Sequence, residues 1–246
     1  MSCNYNDPEF IQNLSLSNLL MTELLAAYSS ISEEIKSYHF SILQECKKNS
    51  RIKELYKGCQ ILFSPLLERP EFLLIGFNPG GGYHKWHGII VEQFEPIPAL
   101  EYYLNKHSLG EQTKSLFTMA GKEDKLRNST VKINFYPWAT HNLADFNELM
   151  RLLPKNLSSQ MFECGRVWTK KLIEFIEPKT IICEGFMAFD EVQVLFSKKY
   201  KQEKSDSYRS FLIGQETLVL GYKRNQGSII GKEEIIEAFN TITPTE

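Results

Sequence analysis

Two asparagines stand where runs of apolar residues end, and the chemistry of the amide group makes both of them candidates for a binding site. Asn78 lies in the segment 76–80 (Gly-Phe-Asn-Pro-Gly), which follows a short apolar run. Asn134 lies within a second such run, 131–135, which continues into Tyr-Pro-Trp. An amide presents a hydrogen-bond donor and an acceptor side by side, which is the pattern that reads the polar edge of a nucleobase. The alternatives are an asparagine that caps the turn before Pro137 and a glycine-rich loop without a role.

Two cationic residues and an aromatic residue follow the last apolar run before the C-terminal helix. The segment 221–227 reads Gly-Tyr-Lys-Arg-Asn-Gln-Gly. Cations in such a place bind the phosphates of a nucleic-acid backbone, and an aromatic ring can enter between stacked bases. A solvated turn is the alternative for this segment on its own. His84 and His87 were considered as metal ligands, but two ligands without nearby acids or cysteines make a poor site, and no metal is predicted.

Alternating strands and helices are predicted to place these loops at one edge of a sheet. Short apolar runs predict strands, and amphipathic patterns between them predict helices. The predicted strands are 72–75, 131–135, 180–183, 211–213 and 218–220, and the predicted helices are about 98–120, 157–176, 186–199 and 232–240. This alternation indicates an α/β fold with a mostly parallel sheet covered on both faces. Ligands bind beyond the carboxyl ends of the strands in such sheets, which here are the loops 76–90, 134–142 and 221–231.

The first 60 residues are predicted to form a helical extension packed on a main domain of residues 61–246. Leucines at helical spacing predict a first helix over about 16–29. The segment 30–33 (Ser-Ile-Ser-Glu) has the pattern of a capping box, so a second helix is predicted to begin there and to run to about Asn49. The alternative is a small helical extension with a binding partner of its own.

The composition is that of a folded domain without a strong electrostatic bias. The chain has 246 residues, a formal net charge of −2 and a pI of about 6.3, which argues against a non-specific DNA coat but not against one local basic face. Its five cysteines form no C-x-x-C pair, which disfavours zinc ribbons and iron–sulfur clusters and suits reduced thiols. No signal peptide and no membrane span are predicted, so we expect a protein of the prokaryotic cytosol, or of the nucleus in a eukaryote.

Three segments together resemble the uracil-DNA glycosylase superfamily. The segment 76–80 resembles its first active-site motif, in the Gly-x-Asn-Pro-Gly form of the single-strand-selective and mismatch-specific branches. Asn134, with Pro137 three positions later, resembles the base-reading asparagine of the single-strand-selective branch. The segment 181–188 resembles the fourth-strand segment, an apolar run into Gly-x-x-Ala. Order and spacing agree over roughly residues 70–240, whereas the first 60 or so residues are not covered.

The resemblance implies a three-layer α/β/α fold and an enzyme that flips one nucleotide out of DNA and hydrolyses its N-glycosidic bond. Asn78 would position the attacking water, Asn134 would read the base, and Phe77 or Trp86 would stack on it. No metal or organic cofactor is implied, and we expect a monomer with DNA as its partner. The implied catalytic residues are Asn78 and Arg224. The implied substrate-binding residues are Gly76, Phe77, Pro79, Gly80, Trp86, Asn134, Tyr136 and His141, and the implied DNA-binding residues are Tyr222, Lys223, Arg224 and Asn225.

The last motif departs from the pattern of the family. That motif begins with His-Pro-Ser in the family, and its histidine stabilises the departing base, but the segment 220–225 (Leu-Gly-Tyr-Lys-Arg-Asn) has no histidine. Arg224 and Asn225 match the Arg-Asn that ends the motif in the single-strand-selective branch. Tyr222, Lys223 or Arg224 is the candidate to supply the missing charge or hydrogen bond. A catalytically inactive DNA-binding module on the same fold is therefore an alternative.

The residue after Pro79 bears on the choice of substrate. Uracil-specific members of the family carry a tyrosine there, and it blocks substituents at C5 of the pyrimidine. Here Gly80 takes that place and is followed by two more glycines, so the expected substrate is uracil or a pyrimidine substituted at C5. A phage-defence glycosylase that excises glucosylated hydroxymethylcytosine is one alternative. An enzyme that acts on nucleotides or sugar phosphates on a generic doubly wound fold is another.

Overall fold

The computed structural model describes residues 8–80, 91–196, 203–214, 216–225 and 227–242. Within these ranges the helices are α1 (Pro8–Lys48), α2 (Ser50–Leu55), α3 (Glu101–Leu104), α4 (Ser108–Met119), α5 (Glu123–Asn128), α6 (Leu143–Leu152), α7 (Lys155–Ile176), α8 (Phe186–Phe196) and α9 (Lys232–Ile242). The strands are β1 (Gly58–Gln60), β2 (Phe72–Gly76), β3 (Val91–Gln93), β4 (Thr130–Asn134), β5 (Trp138–Ala139), β6 (Thr180–Cys183), β7 (Glu203–Lys204), β8 (Tyr208–Ile213), β9 (Thr217–Tyr222), β10 (Arg224–Asn225) and β11 (Ser228–Ile229).

Six strands form the central sheet, in the order β4-β2-β6-β9-β8-β7. The first four run parallel to one another, and β8 and β7 complete the sheet as antiparallel strands at one side. The five predicted strands correspond to β2, β4, β6, β8 and β9, so the predicted α/β class with a mostly parallel sheet is confirmed. Because β4, β2, β6 and β9 share one direction, their carboxyl ends lie next to one another along a single edge.

Two hydrophobic clusters cover the two faces of this sheet. Since strand residues alternate between faces, Leu73 and Ile75 belong to one cluster, together with side chains of α1, α2, α6, α7 and α8. Leu74 and Ile182 belong to the other cluster, together with side chains of α3, α4, α5 and α9. Helices therefore pack on both faces. This double burial explains why β2 and β6 are apolar runs rather than alternately apolar and polar.

Helix α1 is continuous from Pro8 to Lys48, so the prediction of two helices with a boundary at Ser30 is wrong. The buried residues of its apolar stripe recur at helical spacing on both sides of Ser30; they are Leu24, Tyr28, Ile31, Ile35 and Ile42. A helix cap stabilises by about 1 kcal/mol, whereas each fully buried isoleucine contributes about 1.5–3 kcal/mol. Burial of the whole stripe therefore outweighs the local capping pattern. The domain boundary at residue 60 stays a prediction, and β1, which ends there, pairs with β3 and β5.

The predicted helices over 157–176, 186–199 and 232–240 correspond to α7, α8 and α9, whereas α2, α5 and α6 were not predicted. The predicted helix over 98–120 is two helices, α3 and α4, because His107 begins a new helix: its Nδ1 accepts a hydrogen bond from Gly110 N at 3.2 Å. The predicted helix over 186–199 corresponds to α8, which ends at Phe196 among the described residues. The basic run 198–201, a further candidate for phosphate contacts, lies outside the described ranges.

Candidate functional site

The carboxyl ends of β4, β2 and β6 bring Asn134, Gly76 and Glu184 into one row. Gly76 is the partner of Asn134 in the parallel register of β2 and β4. Glu184 follows β6 directly, and its backbone N donates a hydrogen bond to Ile75 O of β2 at 2.8 Å. Because side chains alternate along neighbouring strands in register, all three positions face the same side of the sheet.

Gly76 leaves room for the side chain of Asn134. A Cβ atom at Gly76 would lie 2.1 Å from Oδ1 of Asn134 and 3.7 Å from Oε2 of Glu184. The Asn134 amide therefore lies across the Gly76 backbone, and a larger residue at position 76 would displace it. Asn134 is only 5 % exposed, yet its amide has no hydrogen bond to another residue in the described part of the chain. A buried amide of this kind is stable only when a water or a ligand completes its hydrogen bonds.

The amide of Asn78 is held in a fixed orientation by Thr140. Asn78 Nδ2 donates to Thr140 Oγ1 at 3.0 Å and to Pro79 O at 3.3 Å. The Thr140 hydroxyl in turn donates to Asn142 O at 2.8 Å, so it can only accept from Asn78. Because both donor contacts are made by Nδ2, the carbonyl oxygen Oδ1 remains available to accept a hydrogen bond. Thr140, which is fully buried, was not identified from the sequence.

Backbone hydrogen bonds join the two asparagine-bearing loops beyond the ends of their strands. Phe135 N donates to Gly76 O at 2.8 Å, and Tyr136 N donates to Phe77 O at 2.9 Å. Further along, Thr140 N donates to Pro79 O at 3.2 Å. These bonds continue the pairing of β2 and β4 into the loops. Asn78 and Asn134 are therefore held at the same edge of the sheet, where the carboxyl ends of its parallel strands lie.

A buried cluster of charged residues, which the sequence prediction missed, lies beside this row. We call it the Lys132 cluster; it comprises Lys132, Glu101, Tyr102 and Glu184. Lys132 Nζ lies 2.7 Å from Glu101 Oε1 and 3.7 Å from Glu184 Oε2. The Tyr102 hydroxyl donates to Glu184 Oε1. All three charged residues are at most 6 % exposed, so one ammonium group balances two carboxylates inside the protein.

The pKa values of this cluster show which groups carry charge. Burial would lower the pKa of Lys132, but attraction to Glu101 and Glu184 prevails and raises it. Burial likewise opposes ionisation of Glu101, yet Lys132 and His107 lower the pKa of that carboxyl to about 2. Burial, followed by the charge of Glu184, raises the pKa of the Tyr102 hydroxyl well above its usual value. Lys132 is therefore charged and Tyr102 is a neutral donor at neutral pH.

The sequence contains one indication of the Lys132 cluster. Lys132 stands between Val131 and Ile133 in a run that predicts a strand buried on both faces. A lysine in such a position is almost never fully buried unless it is paired. The charged residue alone therefore indicates a buried acid elsewhere in the chain, although it does not say which one.

Arg224 lies next to the same edge. A Cβ atom at Gly185 would lie 3.1 Å from Nε of Arg224, so the arginine side chain runs over the residue that follows Glu184. Gly185 has a φ of +119°, which favours glycine there independently of the space. Arg224, Lys223 and Asn225 are exposed, and neither cation forms an ion pair with a described carboxylate. These three residues are therefore accessible to a phosphate backbone, as predicted from their positions.

Two of the predicted contact residues are instead part of the core. Tyr136 and Tyr222 are both fully buried, so the predictions that their side chains touch substrate and DNA are corrected. The Tyr136 ring packs against Phe146 and so closely on α7 that a Cβ at Gly165 would lie 2.5 Å from it. Tyr222 is on the same face of its strand as Leu220 and joins the cluster beneath α4 and α9. Both rings stabilise the loops rather than contact a ligand.

The other predicted site residues differ in how far they are buried. Phe77 is half-buried, and its ring packs edge-on against Tyr136 and Phe146. Gly80 is exposed, with no atom of the described residues within 4 Å of where its Cβ would be, and Pro79 is buried. His141 is exposed at the start of α6. Trp86, together with the histidines of the rejected metal motif, lies outside the described residues.

Neither a metal site nor a membrane-spanning helix is present among the described residues. No group of three metal-ligating His, Cys, Asp or Glu side chains occurs within the described ranges. None of the helices described is both long and apolar enough to cross a bilayer. The sequence matches no protein-family model, and no curated protein is significantly similar to it. The function is therefore argued from the residues of the site.

Proposed function

We propose that this protein is a DNA glycosylase that extrudes a pyrimidine nucleotide and hydrolyses its N-glycosidic bond, leaving an abasic site. The observation that carries the proposal is the joining of the Asn78 and Asn134 loops at one edge of the sheet. One loop holds an amide whose oxygen is available for water, and the other holds a buried amide without a described partner. Hydrolysis of a base–sugar bond needs one group that positions water and another that binds the base, both within reach of one nucleotide.

The proposed mechanism assigns one task to each residue. Asn134 binds the polar edge of the extruded base. The oxygen of Asn78 accepts a hydrogen bond from a water molecule and directs it at C1′ of the sugar. As the C1′–N bond breaks, its electron pair leaves with the base. The water oxygen bonds to the cation-like C1′, and the proton that it releases passes through solvent to the base anion. Arg224 stabilises the negative charge that develops on the departing base.

Exposed cations at the same edge support DNA as the partner. Lys223 and Arg224 project from the chain between β9 and β11, and neither forms an ion pair with a described carboxylate. Lys223 also lines an open groove, which it shares with Phe186, Ser205, Asp206 and Arg209. Contacts from such cations to phosphates give affinity that falls as salt concentration rises. The position of Arg224 over Gly185 would hold the duplex with one nucleotide facing the asparagines.

Gly80 supports a substrate that carries a group at C5 of the pyrimidine. The open space around its Cβ position lies directly after the Asn78-Pro79 turn. Hydroxymethyl and glucosylated hydroxymethyl groups are the substituents that such a space would admit. Excision of a hypermodified cytosine from viral DNA is therefore the second candidate function, and it needs no change in the roles of the asparagines.

We predict that Gly80→Tyr blocks C5-substituted bases selectively. The ring would occupy the open space and reduce release of 5-hydroxymethyl pyrimidines by about a hundredfold, because a pocket that lacks room for a substituent excludes it sterically. Release of the unsubstituted pyrimidine should remain within about threefold of wild type. The rates are measured on duplexes that differ only at C5, with Gly80→Ala as the matched small-residue control. Equal losses on both duplexes would show that Gly80 does not line the C5 side of the pocket.

We also predict that Thr140 acts as a positioning residue for Asn78. Thr140→Val keeps the shape of the side chain but removes the acceptor of the Asn78 amide, so kcat should fall about tenfold at unchanged KM. Thr140→Ser keeps the hydroxyl and should restore most of the rate. Steady-state kinetics of the two variants test this difference. Identical values of kcat for the valine and serine variants would exclude the role.

The proposed function is tested by measuring free base directly. The protein is incubated with duplexes and single strands that carry uracil, 5-hydroxymethyluracil, 5-hydroxymethylcytosine or glucosylated 5-hydroxymethylcytosine. Released base is detected by mass spectrometry, and abasic sites are detected by alkaline cleavage. We expect release from at least one of these substrates. Binding to DNA without release from any of them would favour the inactive DNA-binding module instead.

A further inference from the structure

The carboxylate of Glu184 faces the same space as the base-reading amide. Its Oε2 and the Oδ1 of Asn134 both lie close to the position that a Cβ at Gly76 would occupy, at 3.7 Å and 2.1 Å. Since Gly76 has no side chain, the two polar groups border one site across the middle strand. In the register of the sheet, Gly76 lies between β4 and β6.

Glu184 retains the capacity to accept one more hydrogen bond. Its Oε1 accepts from the Tyr102 hydroxyl. Its Oε2 lies 3.7 Å from Lys132 Nζ, which is within the range of an ion pair but beyond that of a hydrogen bond. Lys132 instead donates to Glu101 at 2.7 Å. The Oε2 atom is therefore the acceptor of the Lys132 cluster that is left for a ligand.

The charge of the cluster favours a donor over an acceptor at this point. Two carboxylates, those of Glu101 and Glu184, share one buried ammonium group. A carboxylate oxygen only accepts hydrogen bonds, so Oε2 of Glu184 attracts an N–H group of a ligand and repels a carbonyl oxygen. Among pyrimidines, cytosine presents an amino group at C4, and a carboxylate is the side chain that accepts from it, whereas uracil presents a carbonyl there.

We propose that Glu184 makes the pocket selective for pyrimidines of the cytosine type, by accepting a hydrogen bond from the amino group at C4 while Asn134 binds the neighbouring polar atoms. Tyr102 and Lys132 hold the carboxylate toward the site from its other side. This inference rests on the proposed glycosylase function and names its substrate class. It assigns Glu184 a specificity-determining contact with the base, in addition to its place in the buried cluster.

The test compares two duplexes that are identical except for the group at C4 of the target base. One carries 5-hydroxymethylcytosine and the other 5-hydroxymethyluracil, so the C5 group that Gly80 would face is the same in both. We expect wild-type protein to release the cytosine-type base at least about tenfold faster in kcat/KM, since one good base contact discriminates by this amount or more. Faster release of the uracil-type base would overturn the inference and leave the proposed function intact.

The variant Glu184→Gln then probes the contact itself. Glutamine has nearly the same shape but can offer an N–H group to the carbonyl at C4, so the preference should fall by about tenfold or more toward the uracil-type base. Glu101→Gln is the matched control, because Glu101 pairs with the same lysine but does not border Gly76. The preference of this variant between the two bases should equal that of wild type. Thermal unfolding of each variant identifies the folded fraction to which rates are normalised.

The outcomes separate the inference from the function on which it rests. An unchanged preference in folded Glu184→Gln would overturn the specificity role. An equal shift in Glu101→Gln would also overturn it, because the effect would then come from the charge of the cluster as a whole. Absence of release from every duplex by wild-type protein would refute the glycosylase function instead. If Glu184→Gln does not fold, the wild-type preference between the two bases still decides the inference.

Discussion

Replacing Asn78 with alanine is expected to reduce base release by about a hundredfold to a thousandfold while leaving the fold intact. A positioned polar group at a reacting centre contributes about 3–4 kcal/mol to transition-state stabilisation, which corresponds to this loss. The side chain is only half-buried, and its hydrogen bonds are those to Thr140 and Pro79. Its removal should therefore lower the free energy of unfolding by about 1 kcal/mol. Single-turnover rates with excess enzyme separate this chemical defect from weaker DNA binding.

Asn128→Ala is the matched control for this variant. Asn128 is exposed at the end of α5 and donates to Asp124 at 2.8 Å, near the amino end of β4 rather than the carboxyl end. The control removes the same amide from the opposite edge of the sheet and should release base at the wild-type rate. A wild-type rate in Asn78→Ala would refute the water-positioning role, whatever the protein binds.

Lys132→Met is expected to lower the free energy of unfolding by about 3–5 kcal/mol, which is a large part of the stability of an ordinary domain. The substitution keeps the apolar stem but removes the charge that balances Glu101 and Glu184, at 2.7 Å and 3.7 Å. The two buried carboxylates would then lose the ammonium group that they share, although Glu101 keeps His107 Nε2 at 3.5 Å. Urea denaturation at neutral pH measures the effect. Lys170→Met, which removes an exposed ion pair with Glu174, should cost at most about 0.5 kcal/mol.

The pH dependence of the free energy of unfolding is a second test of the Lys132 cluster. The pKa of Glu101 is lowered to about 2 in the folded protein from an ordinary value of 4.5, so its stabilising contribution is complete above pH 4.5 and is lost as the pH falls toward 2. The difference in stability between wild type and Lys132→Met should therefore be largest at neutral pH and should shrink below pH 4.5. If Lys132→Met lowered the free energy of unfolding no more than Lys170→Met does, the assignment of a buried ionic cluster would be contradicted.

The strands themselves and the position of the asparagines at their ends could be predicted because they depend on local patterns. Strands buried on both faces are continuous apolar runs, a pattern that β2 and β6 have, whereas β4 alternates polar and apolar residues. Once the strands are parallel, their carboxyl ends share one edge, which brings Asn78 and Asn134 together without knowledge of any contact.

The features that the sequence did not reveal depend on partners far apart in the chain. Glu101, Lys132 and Glu184 come from three separate elements, and no spacing rule joins them. The continuity of α1 through Ser30 is likewise decided by burial against the sheet rather than by the capping pattern. Tyr222 is a different case, because the alternation of side chains from Leu220 already indicates that its ring points inward.

A crystal structure of the protein with a duplex that carries a 2′-fluoro-substituted 5-hydroxymethylcytidine tests the central claim most directly, because the fluorine slows the formation of the cation-like sugar and so preserves the substrate. The central claim is that the carboxyl ends of β2 and β4 together bind one extruded base. The expected result is a base turned out of the helix, with its polar edge about 3 Å from the Asn134 amide and its C1′ beside Asn78. A nucleotide still stacked in the duplex, or one bound elsewhere while that amide keeps only water, would contradict the account.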